Sequence, residues 1–74
     1  MPELRCLSGA DLIRRLEQLR FVQIRQRGSH VVLKKQTPEG DVGCVVPLHK
    51  ELAIGTVKGI LKQAKVDLDV LIDL

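Results

Sequence analysis

The strongest constraint on this fold is a Gly-Ser pair between two runs of period-two residues. Phe21-Val22-Gln23-Ile24-Arg25-Gln26-Arg27 precedes Gly28-Ser29, and His30-Val31-Val32-Leu33-Lys34-Lys35 follows it. Alternation of this kind marks strands, and Gly at the first of two loop positions suits a type II′ hairpin turn. With Gly28 and Ser29 as the loop, Arg27 pairs with His30, Gln26 with Val31, Arg25 with Val32 and Ile24 with Leu33. Directly paired residues share a sheet face. Val22, Ile24, Val31 and Leu33 are therefore expected on the packed face. Gln23, Arg25, Arg27, His30 and Lys34 are expected on the other. A one-residue slip would bury His30 with two arginines, at a severe desolvation cost.

Helical patterns flank this hairpin. Ser8 with Asp11 three residues on is a capping-box variant, and Leu12, Ile13, Leu16 and Leu19 form an apolar stripe. After a punctuated loop, Thr37-Pro38-Glu39-Gly40-Asp41, a third strand is expected over Val42–Val46, ended by Pro47. Leu48 to Ile54 reads as an irregular connection. A second helix is expected after Gly55, with Thr56 as its cap and Val57, Ile60, Leu61 and Ala64 buried. Asp67 would cap a short last helix bearing Leu68, Leu71, Ile72 and Leu74. The order helix, strands, helix implies an α+β fold, a three-stranded antiparallel sheet with helices on one face and the other face open.

Size and composition narrow the function. A chain of 74 residues allows one domain over 1–74 and excludes a dinucleotide-binding enzyme or a repeat array. The hydrophobic fraction of 45% with 28% charged residues argues against disorder. Cys6 and Cys44 have no C-x-x-C partner, so two thiols in a reducing cytoplasm are expected rather than a disulfide framework. No signal-peptide pattern opens the chain, and no apolar run approaches the roughly 20 residues that span a bilayer. A cytoplasmic protein without membrane partners is expected.

The net charge of +3 is unevenly spread. Arg14, Arg15, Arg20, Arg25, Arg27, Lys34 and Lys35 face a single acid, Glu17, over the same stretch, whereas Asp67, Asp69 and Asp73 lie near the C-terminus. This is the footprint of a phosphate-binding surface. Trp and Tyr are absent and Phe21 is the only Phe, which excludes modules that stack bases on several exposed rings.

The open face would surround one imidazole with cations. Histidine, with an unperturbed pKa of about 6.5, both takes and gives a proton near neutrality. Arg25, Arg27 and Lys34 beside it are fitted to hold a phosphodiester. RNA supplies its own nucleophile, the 2′-hydroxyl, which a metal-free base activates for in-line attack. The carboxylates are scattered, so metal-ion cleavage is disfavoured and no cofactor is expected. His30 on a strand is equally compatible with an ordinary surface residue, and so is His49. The residues alone leave three functions open: a ribonuclease, a non-catalytic RNA-binding module, or a domain whose basic face meets an acidic protein.

Three motifs in order resemble the HicA family of toxins from toxin–antitoxin pairs. They are Arg25-Gln26-Arg27-Gly28-Ser29-His30-Val31-Val32, then Val45-Val46-Pro47-Leu48-His49, then Glu51 to Ala64 with Gly55-Thr56-Val57-Lys58-Gly59-Ile60-Leu61. The resemblance runs from Ser8 to about Leu71. It implies a fold similar to the double-stranded-RNA-binding domain, α-β-β-β-α, and an mRNA-cleaving endoribonuclease whose catalytic histidine is His30. Ser29, Arg25, Arg27 and Lys34 would then contact RNA, and a HicB-type antitoxin would cover the histidine. The chain departs from the pattern at Arg20 and Lys65, where the family carries Gly. The usual left-handed stop of the first helix is therefore expected to be missing. Val57 replaces a commoner Leu.

Overall fold

The computed structural model describes residues 7–73. Its elements are α1 (Gly9–Gln18), β1 (Val22–Arg27), β2 (His30–Thr37), β3 (Gly40–Pro47), α2 (Ile54–Ala64) and α3 (Leu68–Ile72). The strands form one antiparallel sheet in the order β1-β2-β3. The expected α+β architecture, α-β-β-β-α with an open three-stranded sheet, is the one observed.

α1 begins as its sequence dictates. The Asp11 amide donates to Ser8 Oγ at 3.0 Å, and the Ser8 amide donates to Asp11 Oδ2 at 3.4 Å, closing the capping box. These bonds hold the Asp11 carboxyl below its ordinary pKa, with the Arg14 and Arg15 charges adding to the effect. α2 starts differently from expectation. Its cap position is Ala53, with no side-chain cap bond, so Thr56 already lies inside the helix. Gly55-Thr56 suggested a start only because both residues are poor helix formers.

Both helices end in the left-handed stop that the missing glycines seemed to forbid. Arg20 has φ +80° and Lys65 φ +56°. After α1, the Phe21 amide donates to the Leu16 carbonyl at 3.1 Å and the Arg20 amide to Glu17 at 3.0 Å. After α2, Val66 donates to Leu61 at 3.0 Å and Lys65 to Lys62 at 3.2 Å. Each is a Schellman motif. Burial of Phe21 and Leu16 in the core locks the first one, overriding a left-handed penalty of about 1 kcal/mol.

The core joins Leu12, Ile13 and Leu16 of α1 to Val57, Ile60, Leu61 and Ala64 of α2, with Leu52, Phe21 and Leu71 of α3. From the sheet it receives Val31 and Leu33 of β2 and Cys44 and Val46 of β3, paired across as Val31–Val46 and Leu33–Cys44. Burial raises the Cys44 thiol pKa to about 11. The Arg15 guanidinium donates to the Leu71 carbonyl at 3.1 Å, tying α3 to α1. Asp67 occupies the cap position of α3 without a side-chain cap bond, and Ile72 is exposed. Cys6 and Leu74 lie outside the described residues.

β1 contributes nothing to this core. The pairing jumps from Gln23–Leu33 to Arg25–Val32, leaving Ile24 as the extra residue of a bulge. Expected on the packed face, Val22 and Ile24 are instead 61% and 50% exposed. Gln23 was expected on the open face, but it pairs with Leu33 and its amide donates to Glu17 Oε2 of α1 at 3.0 Å. The cause is the short reach of the helix layer over this edge strand. β1's inward positions, Gln23 and Gln26, are polar, and a bulge shifts the residues before it to the opposite face.

Candidate functional site

The hairpin turn forms as the sequence reading expects. Gly28 has φ +56° and Ser29 does not lie in the positive region, the φ pattern of a type II′ turn. Gly28 tolerates this backbone because it lacks a Cβ. The Gln26 side-chain amide donates to the Gly28 carbonyl at 2.9 Å. On the other side of the turn, the Leu48 amide donates to the Ser29 carbonyl at 2.6 Å. The turn is thus held from both flanks.

His30 opens β2 between Arg27 of β1 and Pro47 of β3, each its direct partner. The next row on the open face is Arg25, Val32 and Val45, and the row beyond is Val22, Lys34 and Gly43. His30, Arg25, Arg27, Ser29 and Lys34 are all exposed. Arg27 therefore lies about 5 Å from His30 in Cβ separation, with Arg25 one row behind. Lys34 does not join them. Four residues along the strand it is roughly 13 Å from His30, and its ammonium lies 3.6 Å from Asp41 Oδ2. The cluster is one imidazole with two guanidinium groups, and Lys34 serves a separate part of the face.

Three features of the site were not read from the sequence. The open face is part apolar, carrying exposed Val22, Ile24 and Val45. The stretch after β3 is held by the start of α1, where the Gly9 amide donates to the His49 carbonyl at 2.9 Å. Gly9 is also forced by close packing, since a Cβ there would sit 2.0 Å from the Pro47 carbonyl oxygen. The available signal was a Gly in the first turn of a helix, where propensity disfavours it. His49 is exposed, and its backbone carbonyl makes the contact that shapes the site.

Chemically, the arrangement offers proton transfer next to fixed positive charge. No group of three His, Cys, Asp or Glu side chains suited to a metal ion occurs among the described residues. No helix among them is long and apolar enough to cross a membrane.

Comparison with curated proteins gives no match. Among known families, residues 9–66 match the one described as the HicA toxin of bacterial toxin–antitoxin systems. That span takes in every element from α1 to the left-handed stop of α2, including the turn that presents His30. A toxin of such a pair has an antitoxin as its partner. The chain belongs to the HicA toxin family.

Proposed function

We propose that this toxin is a metal-independent endoribonuclease that cleaves mRNA in the cytoplasm, with the whole chain acting as one domain. The carrying observation is the direct cross-strand pairing of His30 with Arg27 at an exposed, doubly held turn. His30 acts as general base on a ribose 2′-hydroxyl. The 2′-oxygen then bonds to the adjacent phosphorus while the bond to the 5′-oxygen breaks, leaving a 2′,3′-cyclic phosphate. The imidazolium returns its proton to the departing 5′-oxygen, so the step balances without a second acid. Arg25 and Arg27 stabilise charge growing on the phosphoryl oxygens, Ser29 holds the RNA beside the scissile group, and Lys34, roughly 13 Å along the strand, meets a phosphate further along the RNA.

A HicB-type antitoxin silences the enzyme by covering His30. Arg27→Glu should therefore weaken both RNA cleavage and antitoxin binding.

The test is His30→Ala, assayed on RNA with and without EDTA. Cleavage should fall by at least about 100-fold, growth arrest should be relieved, and wild-type activity should survive the chelator. The fold should be unchanged, because His30 lies on the exposed face. Wild-type rates from the variant, with RNA binding intact, would instead favour the non-catalytic RNA-binding reading.

A further inference from the structure

The open face has a second feature away from His30. β2 continues through Lys35, Gln36 and Thr37, but its pairing with β1 stops at Val22–Lys34. Past that point, among the described residues, one edge of β2 has no neighbouring strand, and unpaired backbone groups at a sheet edge can take a partner. A shallow depression of ≈ 490 Å³ lies here, lined by Arg20, Val22, Ile24, Lys34, Lys35 and Asp41 together with Gln36. Val22 and Ile24 are among the most exposed large apolar side chains described. The bulge that took them out of the core places them here.

The rim is basic. Arg20, Lys34 and Lys35 face one carboxylate, Asp41, which is already within 3.6 Å of Lys34. Lys35 lies over the Phe21 ring at 5.7 Å. Among the described residues no carboxylate pairs with Arg20. Arg20 is also held at φ +80°, where Gly would sit without strain. The left-handed backbone there is sustained by the packing of Phe21 and Leu16 and by the Schellman hydrogen bonds, none of which uses the guanidinium that stands on the rim of the depression.

We infer that this depression is a docking point for the antitoxin, one that takes an apolar side chain flanked by carboxylates and is distinct from the RNA-cleaving cluster. RNA fits it poorly. Val22 and Ile24, at its centre, offer no hydrogen bond to a phosphate and no aromatic face for a base. An acidic, amphipathic protein segment satisfies both halves, burying its apolar residue on Val22 and Ile24 and placing its carboxylates by Arg20 and Lys35. The antitoxin would thus grip the face at two places, with the second free of any catalytic role. The inference rests on the toxin having an antitoxin partner, not on the ribonuclease chemistry.

The experiment measures the affinity of the purified cognate antitoxin for wild type, Arg20→Gly and Ile24→Asp by titration calorimetry, and RNA cleavage by each free toxin. Arg20→Gly relieves backbone strain, so loss of folding cannot explain a weakened complex. Affinity should fall several-fold for Arg20→Gly and at least about tenfold for Ile24→Asp, with cleavage by the free toxin within twofold of wild type. Antitoxin affinity within twofold of wild type for both variants would overturn the inference. So would a parallel loss of cleavage, which would make the depression part of the RNA surface, or a toxin dimer dispersed by Ile24→Asp. Failure of His30→Ala to abolish cleavage would sink the ribonuclease reading and leave these affinities fully interpretable.

Discussion

β2 pairs with β3 along its whole length, from His30–Pro47 to Thr37–Gly40, but with β1 only as far as Lys34. The two neighbours also differ in what they bury. β3 alternates, sending Cys44 and Val46 into the core and Val45 outward, whereas every residue of β1 is exposed. Both strands have apolar residues at alternate positions, so alternation alone does not decide burial. What decides it is whether a helix covers the inward side. β3 lies under that layer, while β1 reaches it from its polar side, through the Gln23–Glu17 hydrogen bond. β1 is therefore free to carry surface chemistry, and β2 has to serve both ends, with His30 outside and Leu33 within.

Truncating the buried strand should show the difference most clearly. Leu33 is fully buried, and Leu33→Ala should cost about 3 kcal/mol in denaturant unfolding, with the slope unchanged. Cys44, its partner across the sheet, should give the next largest effect, one that shrinks at alkaline pH. Its folded-state pKa of about 11 lies above the ordinary 9.0, so the unfolded chain loses this proton first. Its contribution is complete below about pH 9 and is lost between 9 and 11. Stability curves for wild type and Cys44→Ala should converge over that window by roughly 2 kcal/mol. Parallel curves would mean that the thiol is not shielded.

How much of this was legible in the sequence follows the same division. The capping box, the stripes of both main helices, the turn at Gly28-Ser29 and the inward set of β2 follow from local chemistry and periodicity. The Arg27–His30 row was legible because the turn fixes it within two residues. Beyond it, an undetected bulge changes the face of every residue back to Val22, and nothing in Val22-Gln23-Ile24-Arg25 distinguishes a bulged strand from a regular one. The left-handed stops were hidden for another reason. They are held by tertiary burial of Phe21 and by Schellman hydrogen bonds, against the local preference of Arg and Lys.

Those stops give the third prediction. Arg20→Gly and Lys65→Gly should each stabilise the fold by up to about 1 kcal/mol, the relieved strain being partly offset by a more flexible unfolded chain. Destabilisation by either would show that the long basic side chain packs where it stands. The smallest effects belong to β1. Val22→Ala and Ile24→Ala should change stability by less than about 0.5 kcal/mol. Arg25→Gln and Arg27→Gln should do the same, while each lowers the salt slope of RNA binding by about one. A loss from Ile24→Ala approaching that from Leu33→Ala would erase the contrast between the strands.

The contact between Gly9 and the Pro47–His49 segment has a kinetic side. The two hairpins join strands through two-residue turns, but the Gly9–His49 hydrogen bond ties together residues about 40 apart in the chain. Closing so long a loop costs roughly 2.6 kcal/mol more chain entropy than closing a two-residue turn. It therefore waits until the sheet and helices have reduced the freedom between its ends. We expect the wall beside His30 to be the last part of the protein to assemble and the first to open, with the Gly9 amide exchanging with solvent ahead of those in the β2–β3 ladder. A newly made chain would then acquire its fold before its competence, leaving an interval in which it is compact but harmless.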